Sequence, residues 1–320
     1  MKFHRNYIWT FLPALVLAAG TVLAGPPQPI SECGTQITEP GKYLVVNDLA
    51  CGPSEGGITI LASNVMLNLG GHTLTCDLSG IPYSGVVVGD NLDPKVFSKV
   101  RISNGAVTGC GVGVLLWFTD GARVTKMLLS GNEESGVTLV KAKNNVIKKN
   151  TFEGGFWAIY SWAGTGNSYD HNTVRHTFVG IDLYAETDSH ITCNAANENY
   201  YTFGLNPSGP MPSSGNLVRG NQFTNGVLGL GLVGFGTPPD NLEEPIPTDN
   251  LVHANIVLGN VLDITESIYF WADDANFLLP DAECNNMWKN NMFETQFGPE
   301  GCIGTPVVLE DVCAMDEDDD

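Results

Sequence analysis

The chain has 320 residues, of which 37 are Gly, 28 are Asn and only 16% are charged, and its formal net charge is −20. This composition argues against a helical bundle, because the solvent-facing side of a helix needs long polar helix formers. The negative charge argues against a nucleic-acid partner, which requires a basic surface. The composition favours an all-β protein with many turns.

The first residues predict a secretory signal peptide over 1–24. Lys2 and Arg5 precede an apolar run over 8–23, and Ala24 marks the expected cleavage site. A membrane anchor is disfavoured because the run is short and contains Pro13, and no later run reaches the length of a membrane span. We therefore expect a secreted or periplasmic protein whose mature charge is 13 − 35 = −22.

All eight cysteines lie after the predicted signal, and an even number in an exported chain predicts disulfides. No Cys-x-x-Cys pair is present, which disfavours zinc. We expect three pairs, namely Cys33–Cys51, Cys76–Cys110 and Cys302–Cys313. The remaining Cys193 and Cys284 are expected to lie too far apart to pair, so that one or both would be free.

A short pattern recurs along the chain: an apolar residue, two variable residues, Asn, one variable residue and a second apolar residue. It occurs six times, with its Asn at positions 150, 172, 194, 221, 255 and 291, so that the steps are 22, 22, 27, 34 and 36 residues. A second pattern of alternating apolar residues, often led by Gly, has its first apolar residue at Val137, Ile159, Ile181 and Phe203, each 22 residues apart. Alternation at period two predicts strands, and two markers with one period predict a solenoid.

With these repeats, the sequence resembles the right-handed parallel β-helix proteins of the pectin-lyase-like superfamily, from about residue 37 to residue 293. The resemblance implies an all-β, single-stranded parallel β-helix of about nine or ten coils over residues 25–300, with a cap and an acidic tail over 301–320. In such a coil the recurrent Asn points inward and bonds to its neighbours as a structural ladder. The predicted ladder consists of Asn150, Asn172, Asn194, Asn221, Asn255 and Asn291.

Insertions between the repeats gather at one turn. The span from the Gly-led strand to the next Asn strand is ten residues in the three coils that start at Val137, Ile159 and Ile181, and 15, 22 and 20 residues in the next three. Loops on one side of a solenoid commonly build a binding site. We therefore predict a saddle over the three central coils, between the loops 206–217 and 234–251 on one side and 89–99 on the other.

Outward residues of the central strands are the candidates for binding. Strand alternation places Tyr and Trp side chains on the saddle, and such rings suit the apolar faces of sugars. The alternative interpretation is that the flanking loops cover these rings, which then serve only packing. The predicted substrate-binding residues are Thr138, Tyr160, Trp162, Tyr184 and Trp271.

Catalytic candidates follow from the carboxylates and the histidine near the saddle. Asp182 is the carboxylate on the outward central strands, and Glu186, Asp188 and His190 follow at its turn. These types of residue supply general acid and base chemistry in polysaccharide lyases, hydrolases and epimerases. The motifs of polygalacturonase-like, pectate-lyase-like, pectinesterase-like and alginate-epimerase-like enzymes are absent, so the sequence leaves catalysis open.

Metal binding is a minor alternative. His171 and His190 are candidate ligands, since the resemblance also extends to periplasmic copper-related β-helix proteins, but no paired His spacing supports them. The segment 315–320, MDEDDD, could hold Ca²⁺ loosely, although carboxylates without a shaped loop make a poor site. A basic row of Lys126, Lys148, Arg219, His253 and Lys289 is broken by Asp170 and Thr192. Contact with an acidic polymer is one interpretation of this row, and charge that spaces the coils and prevents aggregation is the favoured one.

Two functions remain open at this point. The first is binding or processing of a polysaccharide on the saddle, without a metal or organic cofactor. The second is a surface, structural or adhesion role without catalysis.

Overall fold

The computed structural model describes residues 25–53, 55–77, 84–90, 94–237, 241–244, 247–270, 277–280, 284–298, 301–309 and 313. For residues 235–237, 241–244, 268–270 and 277–280 it describes the backbone. The predicted signal peptide 1–24, the predicted binding residue Trp271 and the acidic segment 315–320 lie outside the described residues.

Strands account for the regular structure throughout the described residues. The first half holds β1 (Gln28–Ile30), β2 (Thr35–Ile37), β3 (Gly41–Val45), β4 (Leu49–Cys51), β5 (Ile58–Ile60), β6 (Val65–Asn68), β7 (Thr73–Cys76), β8 (Val86–Val88), β9 (Phe97–Ser98), β10 (Arg101–Thr108), β11 (Val112–Trp117), β12 (Thr119–Asp120), β13 (Arg123–Ser130), β14 (Ser135–Val140), β15 (Val146–Lys148), β16 (Thr151–Glu153) and β17 (Trp157–Trp162). The second half holds β18 (Ser168–Asp170), β19 (Thr173–Arg175), β20 (Val179–Tyr184), β21 (His190–Thr192), β22 (Ala195–Asn197), β23 (Tyr201–Asn206), β24 (Leu217–Arg219), β25 (Gln222–Thr224), β26 (Leu228–Thr237), β27 (Asn241–Glu244), β28 (Leu251–His253), β29 (Ile256–Leu258), β30 (Leu262–Phe270), β31 (Phe277–Pro280), β32 (Met287–Lys289) and β33 (Gln296–Phe297). Among these residues no helix has the length and hydropathy needed to cross a membrane.

The strands wind into a solenoid with three parallel faces. Face one stacks β15, β18, β21, β24, β28 and β32, and face two stacks β16, β19, β22, β25 and β29. Face three stacks β14, β17, β20, β23, β26 and β30. The same order continues through β2, β5, β8 and β11 at the N-terminal end of face three. β33 pairs in parallel with β30 at the C-terminal end, so face three of the described chain holds eleven parallel strands, and the predicted parallel β-helix is confirmed.

Apolar residues fill the interior because each strand directs alternate side chains inward. Val137, Ile159, Ile181 and Phe203 lie in register on neighbouring strands of face three and are fully buried. Gly180, the second residue of β20, has no room for a side chain, since a Cβ there would come 2.3 Å from the carbonyl oxygen of Thr202. This close approach explains why Gly precedes the first inward apolar residue in β14 and β20.

Buried Asn side chains line the bend between faces one and two. The Asn172 side chain accepts hydrogen bonds from Asn150 N (3.1 Å) and Asn150 Nδ2 (3.1 Å), and it donates to the oxygen of Ile147 (2.8 Å) and to Asn194 Oδ1 (2.9 Å). The same contacts continue through Asn194, Asn221, Asn255 and Asn291. The ladder satisfies backbone groups that the bend leaves unpaired in the interior.

A second buried ladder lies at the bend before face one. It runs through Asn145, Asn167, Ser189, Asn216, Asn250 and Asn286, each five residues before a member of the first ladder. Ser189 replaces Asn at one step, where its backbone N donates to Asn216 Oδ1 (2.9 Å) and its Oγ accepts from Asn167 N (2.9 Å). The offset of five residues is visible in the sequence. The six-residue repeat pattern contains only the Asn of the first ladder, so it does not predict the second one.

Four disulfides join the eight cysteines, so none of them is free. Cys33–Cys51 and Cys76–Cys110 form as predicted. The predicted pair Cys302–Cys313 is wrong, because Cys302 pairs with Cys284 and Cys313 pairs with Cys193. The expectation that Cys193 or Cys284 is free is wrong for the same reason.

The C-terminal segment explains these pairings. After the last coil the chain turns back along the solenoid, where Val307 N donates to the oxygen of Asn291 (3.1 Å) and Cys313 reaches the coil of Cys193. The segment thus crosses several coils within a few residues. Distance along the sequence does not reveal such a crossing.

Candidate functional site

The outward rows of face three match the predicted alternation. Thr138, Tyr160 and Asp182 lie in register on β14, β17 and β20, and Val140, Trp162, Tyr184 and Asn206 form the next row. Tyr160, Trp162 and Tyr184 are half-buried, as is Thr138, whose hydroxyl contacts Ser135 Oγ at 2.5 Å. The predicted binding residues within the described chain therefore share one face.

Six aromatic rings form a continuous surface over three successive coils, which we call the aromatic track. Its members in order of contact are Tyr200, Phe178, Phe156, Trp157, Tyr160 and Tyr184. Neighbouring ring centroids are 4.9, 4.9, 4.3, 5.1 and 5.7 Å apart along this order. Four of these spacings lie in the range of about 4.5–7 Å for favourable ring contacts, and the Phe156–Trp157 contact is slightly closer.

One end of the aromatic track is open to solvent. Phe156, Phe178 and Tyr200 are 40%, 48% and 56% exposed. They precede the strands of face three at intervals of 22 residues, and this period was the signal in the sequence that could have added them to the candidate site. Three neighbouring exposed aromatic residues form an apolar patch, and contiguous patches of this kind mark interaction sites.

Trp162 lies beside the aromatic track under the loop that was predicted to form a wall. Its Nε1 donates to Ser208 Oγ (2.9 Å), and Lys141 Nζ lies 5.1 Å from the centre of a Trp162 ring. The loop between β23 and β24 therefore packs against this residue. The alternative interpretation, in which a loop covers the ring, holds for Trp162 but not for the three exposed aromatic residues.

Asp182 lies beneath the aromatic track and is only 4% exposed. Trp157 Nε1 donates to its Oδ2 (3.1 Å), Asn206 Nδ2 donates to its Oδ1, and Tyr184 bonds to the same carboxyl. Gly204 leaves room for this group, since a Cβ there would lie 2.8 Å from Asp182 Oδ1. Burial raises the pKa of Asp182 to about 7, against the lowering effect of its three hydrogen bonds.

Glu186 lies inside the coil and does not face the saddle. It accepts hydrogen bonds from Ser161 Oγ (2.6 Å), Asn167 Nδ2 (2.8 Å), Tyr169 Oη (3.0 Å) and Ser189 Oγ (2.7 Å). Burial raises its pKa despite these four donors. The residue occupies the gap that Ser189 leaves in the second ladder, and a substrate on the outer surface has no access to it.

The remaining catalytic candidates lie elsewhere. Asp188 is exposed in the turn after β20, and His190 is exposed at the start of β21 on face one. The structure therefore does not bring Asp182, Glu186, Asp188 and His190 together, because they belong to an outer face, the interior, a turn and a different face. Alternation along one strand predicts which side a residue faces, but the turn after β20 breaks that alternation.

The described residues offer one cluster of side chains that could hold a metal ion. Ligand atoms of Asp170, His171 and Cys193 lie within 4.8 Å of one another. The Cys193 sulfur is bonded to Cys313, and Asp170 pairs with Lys148 (3.1 Å) and with His171 Nδ1 (2.8 Å). Copper binding would need a free thiolate or several imidazoles, so these groups do not fit a copper ion. His190 is not a member of the cluster.

Comparison with known families finds a match over residues 80–234 to the family described as NosD, periplasmic copper-binding protein. This match covers just under half of the chain. No curated protein matches the sequence.

Comparison with solved structures finds the tailspike protein of E. coli bacteriophage HK620 in complex with a pentasaccharide, with 15% identity and a TM-score of 0.50 over 84% of this chain and 58% of that one. A mutant of the same tailspike gives 15% identity and a TM-score of 0.52 over 84% and 57%. The chain thus spans somewhat more than half the length of these proteins. The similarity, together with the parallel register of its three faces, identifies the chain as a right-handed parallel β-helix repeat protein of the pectin-lyase-like fold.

Proposed function

We propose that the protein is exported and binds a polysaccharide along the aromatic track of its central coils. The observation that carries this proposal is the aromatic track itself, with its continuous ring contacts and its three exposed members. Aromatic side chains contact the apolar faces of sugar rings, and nearby hydroxyl groups bond to the sugar hydroxyls.

Three further observations support the proposal. Two of the three coils that carry the aromatic track, those of β17 and β20, lack the insertions found in later coils, so an extended polymer can lie across them. Four disulfides are typical of proteins that fold in an oxidising compartment outside the cytosol. The tailspike of the same fold was solved with a pentasaccharide.

Binding without turnover is the activity that the geometry favours. Hydrolysis or elimination of a glycosidic bond needs at least two convergent ionisable groups. Asp182 is the carboxylate that contacts the aromatic track within the described residues. Asp188 lies in a turn and His190 lies on face one, so neither shares face three with Asp182. A proton-transfer role for Asp182 is the second candidate, since a carboxyl group with a pKa of about 7 can donate and accept a proton near neutral pH.

The test of binding uses the full exported chain and a panel of neutral and uronate polysaccharides. We expect the F178A/Y200A variant to lose about 10- to 100-fold in affinity, since each ring contact contributes about 1 kcal/mol or somewhat more. L128A is the matched control, because Leu128 is an exposed apolar residue on face two. No binding across the panel, or equal affinity of the aromatic variant and the control, would refute the site.

The test of catalysis follows the same ligands over time. New reducing ends or unsaturated products that disappear in D182N would establish turnover and assign Asp182 to it. If ligands bind but no product forms, the adhesion or structural role without catalysis is supported.

A further inference from the structure

The turn between faces two and three carries a row of exposed apolar residues, which we call the apolar ridge. In each coil the residue after a ridge member donates its backbone N–H to the carbonyl oxygen of the preceding member, so the members are stacked in register. The row continues the exposed end of the aromatic track over two further coils. The apolar ridge consists of Phe156, Phe178, Tyr200, Val227 and Val261.

The two members that extend the aromatic track are as open to solvent as the rings. Val227 is 38% exposed and Val261 is 75% exposed. Neighbouring parallel strands lie about 4.8 Å apart, so the five members of the apolar ridge span about 19 Å parallel to the axis of the solenoid. A contiguous exposed apolar strip of this length marks an interaction site.

Insertions leave the apolar ridge uninterrupted. From each Asn of the first ladder to the first inward apolar residue of face three the chain takes nine residues in all five coils. The insertions lie at the opposite edge of face three, where the loop between β23 and β24 covers Trp162 through the bond from its Nε1 to Ser208 Oγ (2.9 Å). A polymer that crosses face three meets this loop, whereas a polymer parallel to the axis does not.

Polar side chains accompany the apolar ridge along one side. His176 Nδ1 contacts Glu153 Oε1 (2.6 Å) and its Nε2 contacts Glu198 Oε2 (2.7 Å), which links three successive coils. In the next coil Asn225 Nδ2 donates to Asn197 Oδ1 (2.7 Å). Each of these residues precedes a ridge member by two or three positions. Polar groups beside an apolar strip are the arrangement that fixes the orientation of a sugar through its hydroxyls.

The charge around the apolar ridge selects the kind of polymer. Glu134 lies in line with the ridge members, since its carbonyl oxygen accepts from Trp157 N (2.8 Å), and Glu153 and Glu198 lie beside them. Arg175 and His176 offset part of this charge, but the whole chain carries −20. A uronate polymer brings further carboxylates against these groups and is repelled, whereas an uncharged polymer is not.

We propose that the apolar ridge binds an uncharged linear polysaccharide parallel to the axis of the solenoid, with Val227 and Val261 as binding residues beyond the aromatic track. This inference rests on the proposed function and adds the direction, the length and the charge class of the ligand. About one apolar contact per coil makes the site about five sugars long.

The first measurement is the affinity of the full chain at low salt for cello-, manno- and galacturonate oligomers of two to six sugars. We expect the affinity of a neutral series to rise with length up to about five sugars. Galacturonate oligomers of equal length are expected to bind at least about tenfold more weakly. An affinity that stops rising at two or three sugars would overturn the axial path, and equal or tighter binding of galacturonate would overturn the charge class.

Variants at the far end of the apolar ridge separate this inference from the proposed function. In V227S/V261S we expect the affinity for the six-sugar neutral oligomer to fall about three- to tenfold, while that for the three-sugar oligomer stays unchanged. V46S is the matched control, because Val46 is 45% exposed near the N-terminal end of the solenoid.

If V227S/V261S binds the six-sugar oligomer as tightly as V46S does, while F178A/Y200A loses affinity, the axial extension is refuted and the proposed function stands. If the wild type binds none of the oligomers or polysaccharides, both are refuted.

Contact between two copies of this chain is the competing use of the apolar ridge. Sedimentation equilibrium of the wild type and V227S/V261S measures it, and we expect the same molar mass for both proteins. A dimer that V227S/V261S dissociates would assign the ridge to self-association and overturn the proposal.

Discussion

Removal of one side chain from the first Asn ladder is expected to be costly. In Asn172→Ala the backbone N–H of Asn150 and the carbonyl oxygen of Ile147 both lose their side-chain partner, and both lie in the interior. An orphaned buried polar group costs about 1–3 kcal/mol, so the two together predict a loss of about 4 kcal/mol in the free energy of unfolding.

Chemical denaturation followed by circular dichroism measures this loss, with the slope of the transition compared between proteins to check its cooperativity. Asn47→Ala is the control, since Asn47 is exposed and bonds to the oxygens of Ser31 and Asp48 at the surface. We expect less than about 1 kcal/mol for this control. A loss of similar size for both variants would refute the argument that buried amide contacts stabilise the stack.

Three further outcomes follow from the structure. Burial raises the pKa of Asp182 to about 7 from an ordinary 3.8, so the folded protein keeps a proton that the unfolded chain releases; stability therefore falls as the pH rises from about 4 to 7, by up to about 4 kcal/mol. In D182N this pH dependence of the free energy of unfolding is lost. Urea titrations at pH 4 and pH 7 measure it, and an equal change in the free energy of unfolding for wild type and D182N would contradict the assignment. Tyr169→Phe takes one donor from Glu186 and is expected to cost about 1–3 kcal/mol, while Tyr200→Phe at the surface costs little; comparable midpoints would exclude a role for that hydrogen bond. Gly180→Ala places a Cβ 2.3 Å from the oxygen of Thr202 and is expected to lower the melting temperature by several degrees, whereas Gly25→Ala, with nothing within 4 Å, leaves it unchanged.

The repeat made the fold predictable from the sequence. A period of 22 residues in two separate patterns requires that equivalent residues stack, and a stack of short strands has few solutions other than a parallel β-helix. Alternation within β14, β17 and β20 also placed Tyr160, Trp162 and Tyr184 on one outer face. These are local properties of the chain, because each residue's side follows from its neighbours two positions away.

Features that the 22-residue period does not set became known only from the tertiary structure. Burial of Asp182 depends on Trp157, Asn206 and Tyr184 from three coils, and the position of Glu186 depends on a turn that leaves the strand alternation. The pairing of Cys193 with Cys313 depends on the path of a segment that crosses coils. Sequence alone determined the repeating coil, since local spacing sets the register; the tertiary structure decided which polar side chains meet, since those contacts join residues whose separation follows no period.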